Sequence, residues 1–337
     1  MRLLTPPLLS CFVLSCFSLV ACSQQSESGG ITPTLTHSFT PLAIEAGEEI
    51  SGVCQSWTLD NDETLYVSKI RQRNEGAWHH SNWFFVPEDT YPGPDGTWDC
   101  DERGFHDVSA ALEGGAFFAQ STQALEELQA FQEGAVLEIP PRHKIVGGVH
   151  LVNISASPLD TGLSFDIETI PEENVQVRLR PIAFTNTALD IEPQAESRFG
   201  MTCDLPVASD YNIYYVLAHY HEWGNYFRLS FVDDDGGERT IFELRNSIGE
   251  PLGITLDPPI NSQDASKLRV ECGYINNTEE PLTYGLAGHE MCVFLAYSDA
   301  PLKIGATSGD NTAMGPDDNG VYMNETACGG VLAIPAP

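Results

Sequence analysis

Histidines are the residues of this 337-residue chain whose types and spacing could do chemistry. His79 and His80 are adjacent, His219 and His221 are separated by one residue, and His150 lies in a strand-like run. Imidazole nitrogens bind zinc, copper, iron and nickel. Residues two apart on a strand point to the same face, whereas adjacent histidines can share a face only at a bulge or a strand end. The paired histidines therefore predict metal binding.

A sulfur ligand would narrow the choice of metal. Met291 precedes Cys292 and the apolar run 293–297. A thioether favours copper(I), although a methionine in this setting is also typical of a hydrophobic core. His143 is a rival metal ligand, but it lies between two basic residues in a polar segment. The remaining histidines are interpreted as surface or hydrogen-bonded core residues: His37, His106 and His289.

Strands are the elements that must position these side chains. Alternating or β-branched runs occur at Val149–Ile154, Val175–Leu179, Tyr226–Val232, Leu268–Cys272 and Val293–Tyr297. The Asp- and Gly-rich segment 233–237 predicts a hairpin turn, and the spacing of leucines predicts one helix over Thr122–Phe131. With 29 Gly and 22 Pro for turns, we expect an all-β chain of two tandem antiparallel β-sandwich domains, 41–180 and 181–337.

The N-terminal residues predict export. Arg2 precedes an apolar stretch over 3–20, which is typical of a signal peptide over residues 1–21. The segment 19–22 ends in Cys22 and resembles the lipobox of bacterial lipoproteins, in which that cysteine is acylated; a conventional signal peptide cleaved nearby is the alternative. Residues 22–40 read as a flexible tether. We expect a protein anchored at the cell envelope, at the periplasmic face or surface of the outer membrane.

Charge and cysteine content exclude other classes. The chain has 48 Asp and Glu against 16 Lys and Arg, which argues against nucleic acid or anionic lipid as partners. Because the acidic residues are scattered, a solvated surface is favoured over an acidic docking patch. Without the signal and Cys22, six cysteines remain, an even number that suits three disulfides in an oxidising compartment and leaves 15 pairings open. No CxxC motif occurs, which argues against a zinc ribbon or a thioredoxin-like site.

Four short segments occur in an order that resembles the copper type II, ascorbate-dependent monooxygenases, the family of peptidylglycine alpha-hydroxylating and dopamine beta-monooxygenases. The segments are Trp78-His79-His80, Gly148-Val149-His150, Ala218-His219-Tyr220-His221 and His289-Glu290-Met291-Cys292. Their joint order spans about residues 50–330. The resemblance implies two copper ions, one held by each domain. In the first domain, the electron-passing ligands would be His79, His80 and His150. In the second, the catalytic copper, where oxygen binds and the C–H bond is cleaved, would be held by His219, His221 and Met291.

The resemblance carries further expectations. It implies the disulfides Cys54–Cys100, Cys203–Cys328 and Cys272–Cys292, a monomer, and ascorbate or an equivalent reductant. The chain departs from the peptide hydroxylase at the positions that bind a substrate carboxylate, which are apolar here: Leu217, Val293 and Leu295. Glycine-extended peptides are therefore poor candidate substrates.

Two function classes follow from these observations. The first is a monooxygenase that hydroxylates a small-molecule or peptide-like substrate with O2 and an external electron donor. The alternative is a membrane-tethered lipoprotein that scavenges or senses copper without turnover. A purely structural sandwich protein would leave the histidine sets unexplained.

Overall fold

A computed structural model gives the architecture of the chain. It describes residues 31–120, 123–206, 210–245, 252–285 and 288–335. The predicted signal peptide, the Cys22 anchor and the first part of the tether lie outside the described residues. No helix within the described ranges is long and apolar enough to cross a bilayer. From Ile31 onward the chain forms one compact unit.

The strands described before residue 180 are β1 (Leu35–Ser38), β2 (Leu42–Ile44), β3 (Glu49–Thr58), β4 (Leu65–Asn74), β5 (Trp78–Val86), β6 (Gly96–Asp99), β7 (Gly115–Ala119), β8 (Glu126–Ala130), β9 (Ala135–Ile139), β10 (Lys144–Val152), β11 (Leu159–Thr161), β12 (Leu163–Thr169) and β13 (Val177–Arg178). The described helices are α1 (Asp107–Glu113) and two short 3-10 helices, Asp101–Arg103 and Glu172–Asn174.

The strands described after that point are β14 (Arg180–Thr185), β15 (Asp190–Ile191), β16 (Ala195–Asp204), β17 (Asn212–His219), β18 (Gly224–Asp233), β19 (Glu238–Leu244), β20 (Gly253–Asn261), β21 (Ala265–Asn276), β22 (Leu282–Thr283), β23 (Val293–Ser298), β24 (Leu302–Pro316) and β25 (Tyr322–Pro335). The chain is therefore nearly all β, as predicted.

Strand pairing divides these strands into two sets, which we call the first half (β1–β13) and the second half (β14–β25). Within the described residues no sheet mixes the two sets. The first half has a sheet β1-β12-β4-β9-β13, with β8 paired to β4, and a sheet β6-β3-β10-β5-β7. The second half is dominated by a ten-stranded sheet in the order β19-β18-β21-β16-β25-β24-β14-β23-β17-β20. Pairing changes partner between β13 and β14, close to residue 180, although the assignment of two domains stays a prediction.

One hydrophobic core belongs to both halves. Tyr215, Leu217 and Tyr297 of the second half are buried among side chains of the first half. The Phe131 ring centroid lies 5.2 Å from that of Tyr297 and 6.1 Å from that of Tyr215. Because burying one such side chain stabilises a fold by about 1.5–3 kcal/mol, this shared core holds the two halves together. Tyr215 and Leu217 lie on β17, the strand that ends at His219.

The predicted helix over Thr122–Phe131 is wrong. Residues 126–130 form β8, which pairs antiparallel with β4. Glu127 and Gln129 are buried, while Leu125 is 62% exposed, so the leucine spacing does not mark a buried helical face. The Gln129 side-chain amide nitrogen donates a hydrogen bond to the Phe117 carbonyl oxygen at 3.0 Å. Pairing with β4 overrides the local helical pattern.

Other local expectations have mixed outcomes. The tether was expected to reach residue 40, but Leu35–Ser38 pairs with β12 and Phe39 is buried in the core, so the folded part begins earlier. The turn at 233–237 joins β18 to β19 as a hairpin, as predicted. All three expected disulfides are confirmed: Cys54–Cys100, Cys203–Cys328 and Cys272–Cys292.

Candidate metal centre

The first-half histidines lie at a bulge in the five-stranded sheet. His80 on β5 is directly opposite His150 on β10, and the next pair is Trp78 with Leu151. β5 therefore has one extra residue, His79, at this point. In such a bulge two residues of one strand oppose a single residue of its partner. Both adjacent histidines consequently lie against His150. The bulge thus lets His79 and His80 share one side of the strand, as expected from the sequence.

The second-half histidines lie where β17 ends. His219 is the last residue of β17 and pairs with Val293 at the start of β23. His221 lies in the turn that follows, which the Gly224 amide closes by donating to the His221 carbonyl oxygen at 3.1 Å. The two imidazole rings meet edge to face, at a ring-centroid distance of 5.3 Å and an interplanar angle of 84°.

A buried carboxylate fixes this turn. Glu290 is fully buried and accepts backbone N–H hydrogen bonds from His221 at 2.8 Å, Trp223 at 2.7 Å and Met291 at 3.3 Å. Burial raises the pKa of Glu290 to about 7, against the opposing effect of these donors. The Glu290 side chain thus ties the His221 turn to the segment that carries Met291.

Five imidazoles from both halves meet in what we call the histidine cluster. Ring-centroid distances are 4.9 Å for His79–His150, 5.0 Å for His80–His150, 4.8 Å for His79–His221 and 5.1 Å for His80–His219. The ligand nitrogens of His80, His219 and His221 all lie within 4.8 Å of one another. Contacts between the halves are as close as those within each half.

Three buried nitrogens of the cluster have no hydrogen-bond partner in the described part of the chain: His80 Nε2, His150 Nδ1 and His221 Nε2. A buried polar atom left without a partner costs about 1–3 kcal/mol. Unpaired buried groups are rare in folded proteins and call for a ligand, an ion or a water molecule. The cluster therefore has the donor set of a metal site.

Hydrogen bonds at the opposite ring positions fix which nitrogens are available. His221 Nδ1 is 2.8 Å from the His289 carbonyl oxygen, which can only accept, so Nδ1 carries the proton and Nε2 keeps its lone pair. His150 Nε2 is 2.6 Å from a carboxylate oxygen of Glu49, which likewise directs the lone pair to Nδ1. A carboxylate or carbonyl behind an imidazole is the usual arrangement at metal centres.

Burial favours the neutral form of three of the imidazoles, those of His79, His80 and His221. Burial, with repulsion from His221 and His150, lowers the pKa of His79 to about 3. Burial also lowers the pKa of His80 well below its ordinary value, and lowers that of His221. Metal binding requires a neutral imidazole, because the proton and the ion compete for the same lone pair. His79 is further held by the Gln123 amide, 2.7 Å from its Nδ1.

Met291 lies one residue from the carboxylate that fixes the turn. Its carbonyl oxygen accepts a 2.7 Å hydrogen bond from the buried Tyr274 hydroxyl, and the next residue, Cys292, is disulfide-bonded to Cys272. The Met291 side chain is partly buried. The backbone on both sides of Met291 is thus fixed, while its role as a copper ligand stays a prediction.

The structure brings all five predicted histidine ligands together, but not the rival. His143 is near the opposite end of β10, with its Nδ1 3.1 Å from the Pro141 carbonyl oxygen. His37 stacks on Trp57 at 4.2 Å. The expected division into one three-ligand set for each half is not visible as a separation, because His79 and His80 contact rings of the second half. The assignment of one copper to each set stays a prediction.

Sequence reasoning missed three polar residues behind the cluster. Glu49 lies 101 residues before His150 in the chain, and Gln123 lies 44 residues after His79, so no local spacing indicated either contact. Glu290 was within a recognised segment, but its role depends on a turn 69 residues away. The alternation of strand residues could have flagged Glu49 only if its pairing with β10 were already known.

No protein-family model matches the chain, and no curated protein sequence matches it. Among solved structures, it is similar to the PBSX exported protein XepA, at 10% identity over 80% of this chain and 88% of that one, with a TM-score of 0.22. PNGase F, a glycosylasparaginase from Flavobacterium meningosepticum, gives 8% identity over 77% and 95%, with a TM-score of 0.31. The VP2 subviral particle of infectious bursal disease virus gives 9% over 79% and 72%, with a TM-score of 0.20. Scores this low establish neither a shared fold nor a shared function.

Proposed function

We propose that the protein is a copper-dependent monooxygenase that hydroxylates a C–H bond of an organic substrate, using O2 and an external one-electron donor such as ascorbate. The observation that carries this proposal is the histidine cluster, in which five imidazoles converge and three buried nitrogens lack a partner within the described residues. The order of the four matched sequence segments supports the choice of reaction.

The donor set fits copper. Neutral imidazoles bind divalent first-row metals with copper(II) preferred over zinc, and a thioether adds affinity for copper(I). His79, His80, His150, His219 and His221 supply the imidazoles, and the partly buried Met291 is the candidate thioether. No carboxylate lies among the predicted ligands, which disfavours magnesium or calcium.

The overall reaction would convert R–H, O2, two electrons and two protons into R–OH and water. Bound copper would supply the one-electron steps and the activation of O2. The chain's own part is positioning: Glu49 orients the His150 ring, and Glu290 holds the His221 turn. The peptide hydroxylase that the sequence resembles binds a carboxylate at the positions of Leu217 and Leu295. Here both side chains are buried in the shared core, so they offer no carboxylate-binding group.

Copper content and reductant-dependent O2 uptake test the proposal together. The mature protein is loaded with copper and screened against substrates of graded polarity, with product identified by mass spectrometry. We expect Met291→His to retain copper and lose most hydroxylation, because the site loses its soft ligand. His143→Ala, outside the cluster, is the matched control and should leave both unchanged. Full turnover by Met291→His would contradict the assignment.

A second candidate function is copper binding without turnover. The observation that favours it is the burial of Leu217 and Leu295, which are 2% and 7% exposed and leave no polar group at the expected substrate-binding positions. This function would be supported if the protein binds copper(I) tightly after the reductant is added but consumes no O2 with any substrate of the panel.

We also propose that the protein is exported and anchored to the envelope by lipid at Cys22. Three disulfides within the described chain support an oxidising compartment. Metabolic labelling with a fatty acid, compared between the natural chain and Cys22→Ser, tests the anchor. Equal labelling of both would contradict it.

A further inference from the structure

His80 is positioned between the two halves of the histidine cluster. Its ring centroid is 5.0 Å from His150 in its own half, and 5.1 Å from His219 and 5.6 Å from His221 in the other. The His80 and His221 rings are nearly parallel, at 19°. His80 is therefore as close to the second-half histidines as to its own partner on β10.

The ligand atoms favour this shared combination over the first-half set. Within the described residues, His80, His219 and His221 are the one group of three histidine, cysteine or acidic side chains whose ligand atoms lie within 4.8 Å of one another. The three residues are 9%, 8% and 4% exposed. His80 Nε2 and His221 Nε2 are both buried without a partner in this part of the chain. Two unpartnered buried nitrogens therefore belong to a single triad.

We propose that the first divalent transition-metal ion to bind is held by His80, His219 and His221 together, so that one ion bridges the two halves. This inference rests on the proposed metal binding of the cluster and revises the division of ligands, because His80 serves the second-half histidines. His79 and His150 then remain beside the ion, where they can receive a second one.

The triad needs only a small adjustment to hold an ion. Metal–imidazole bonds are about 2.0–2.1 Å long, which brings tetrahedral ligand nitrogens to roughly 3.4 Å from one another. The ligand nitrogens lie at most 4.8 Å apart, so they would have to approach one another by up to about 1.4 Å, which side-chain rotation can supply. Three imidazoles with a fourth open position suit copper and zinc, and copper(II) binds the more tightly of the two. Copper(II) is therefore the probe of choice.

The test titrates apoprotein with less than one equivalent of copper(II) against a chromophoric chelator. If the site is shared, His80→Ala and His219→Ala should each lower the affinity for the first ion by more than a hundredfold. Loss of a residue behind a metal ligand typically costs only tenfold to hundredfold, and these residues would be ligands themselves. The double variant should be no weaker than either single one by more than a few fold, because both remove the same site. His79→Ala and His150→Ala should retain the first ion, and His143→Ala is the control outside the cluster.

The contrary result is equally specific. If His80→Ala and His219→Ala each still bind one ion with the affinity of the natural protein, the two residues serve different ions and the shared site is wrong. Should His80→Ala fail to fold, His80→Phe keeps the ring volume without a ligand nitrogen and is used in its place. Turnover is not part of this readout. If the first ion binds as expected but the natural protein takes up no O2, only the proposed enzyme is rejected. If O2 uptake is found but His80 and His219 serve different ions, only the shared site is rejected.

Discussion

The two halves hold their histidines by different means. His80 and His150 are adjacent across a sheet, and the hydrogen-bond ladder between β5 and β10 sets their separation. His221 lies beyond the end of its strand, where no ladder can hold it, and the Glu290 carboxylate takes over by accepting three backbone N–H groups. The first-half sheet positions its histidines through a ladder of many hydrogen bonds. The His221 turn has fewer, which involve the Glu290 carboxylate, the Gly224 amide and the His289 carbonyl oxygen. The second half should therefore be the more fragile side of the histidine cluster.

Removing one disulfide from each half gives the largest expected effect. The chain-entropy relation predicts that Cys54→Ala/Cys100→Ala, spanning 46 residues, lowers the free energy of unfolding by about 4 kcal/mol. For Cys272→Ala/Cys292→Ala, spanning 20, it predicts about 3 kcal/mol. Copper affinity should reverse this order, because only Cys292 adjoins Met291. Urea unfolding and chelator competition measure the two quantities. If the Cys54/Cys100 variant loses more copper affinity than the Cys272/Cys292 variant, the second half is not the more fragile side.

Removal of the buried carboxylate comes next. Glu290→Ala leaves the His221, Trp223 and Met291 amides without their acceptor, and we expect a loss of about 2–3 kcal/mol in unfolding free energy together with weaker copper binding. Glu290→Gln keeps one acceptor oxygen and should lose less of both. The comparison uses apoprotein unfolding in urea beside copper titration. If the alanine variant binds copper normally, the turn does not depend on this carboxylate.

Glu49 gives the corresponding test in the first half. Glu49→Ala removes the carboxylate behind His150 Nε2, and we expect copper binding by the first-half histidines to weaken about tenfold. The free energy of unfolding should change little, because the sheet still positions the ring and Glu49 is 38% exposed. Glu49→Gln, which retains an acceptor oxygen, should restore most of the affinity. A large loss of stability in the alanine variant would show that the ladder alone does not hold His150.

The smallest expected effect on copper affinity concerns an ion pair away from the cluster. Asp166 lies 2.8 Å from both Arg71 and Arg73. Burial opposes ionisation of Asp166, but hydrogen bonds from Arg71 and Thr36 and the charge of Arg73 give a net lowering of its pKa. A lowered pKa stabilises the fold at pH above about 4, and this contribution disappears as the pH falls through the folded pKa. Asp166→Asn should cost about 1–2 kcal/mol at pH 7 and progressively less below pH 4 in urea unfolding, with copper affinity unchanged. A cost that does not vary with pH would contradict this interpretation.

Local sequence patterns predicted many of the strands and singled out the histidines. They did not predict that histidines of the two halves come together. The alternation of Tyr226–Val232 and the turn at 233–237 report a hairpin directly, because both are properties of adjacent residues. The spacing of the leucines before Phe131 gave a wrong prediction, because it is also a local property. Whether these leucines are buried depends instead on pairing with β4, about 60 residues earlier in the chain.

The candidate site was predictable only in part. Adjacent His79 and His80 required a bulge, and a bulge is what the pairing of β5 with β10 contains. Contact between His80 and His219 depends instead on how two sheets pack through a shared core, and no spacing along the chain records that distance. The same is true of Glu49, which reaches His150 through strand pairing.

The bulge at His79 also bears on how such a centre could be gained or lost in evolution. On either side of it, Trp78 opposes Leu151 and His80 opposes His150. Deletion of a single codon at position 79 would therefore remove one imidazole and leave every other strand pair in register. Insertion of one codon could equally have added it. A ligand carried on an inserted residue can be acquired or discarded in one genetic event, without redesign of the sheet that supports it.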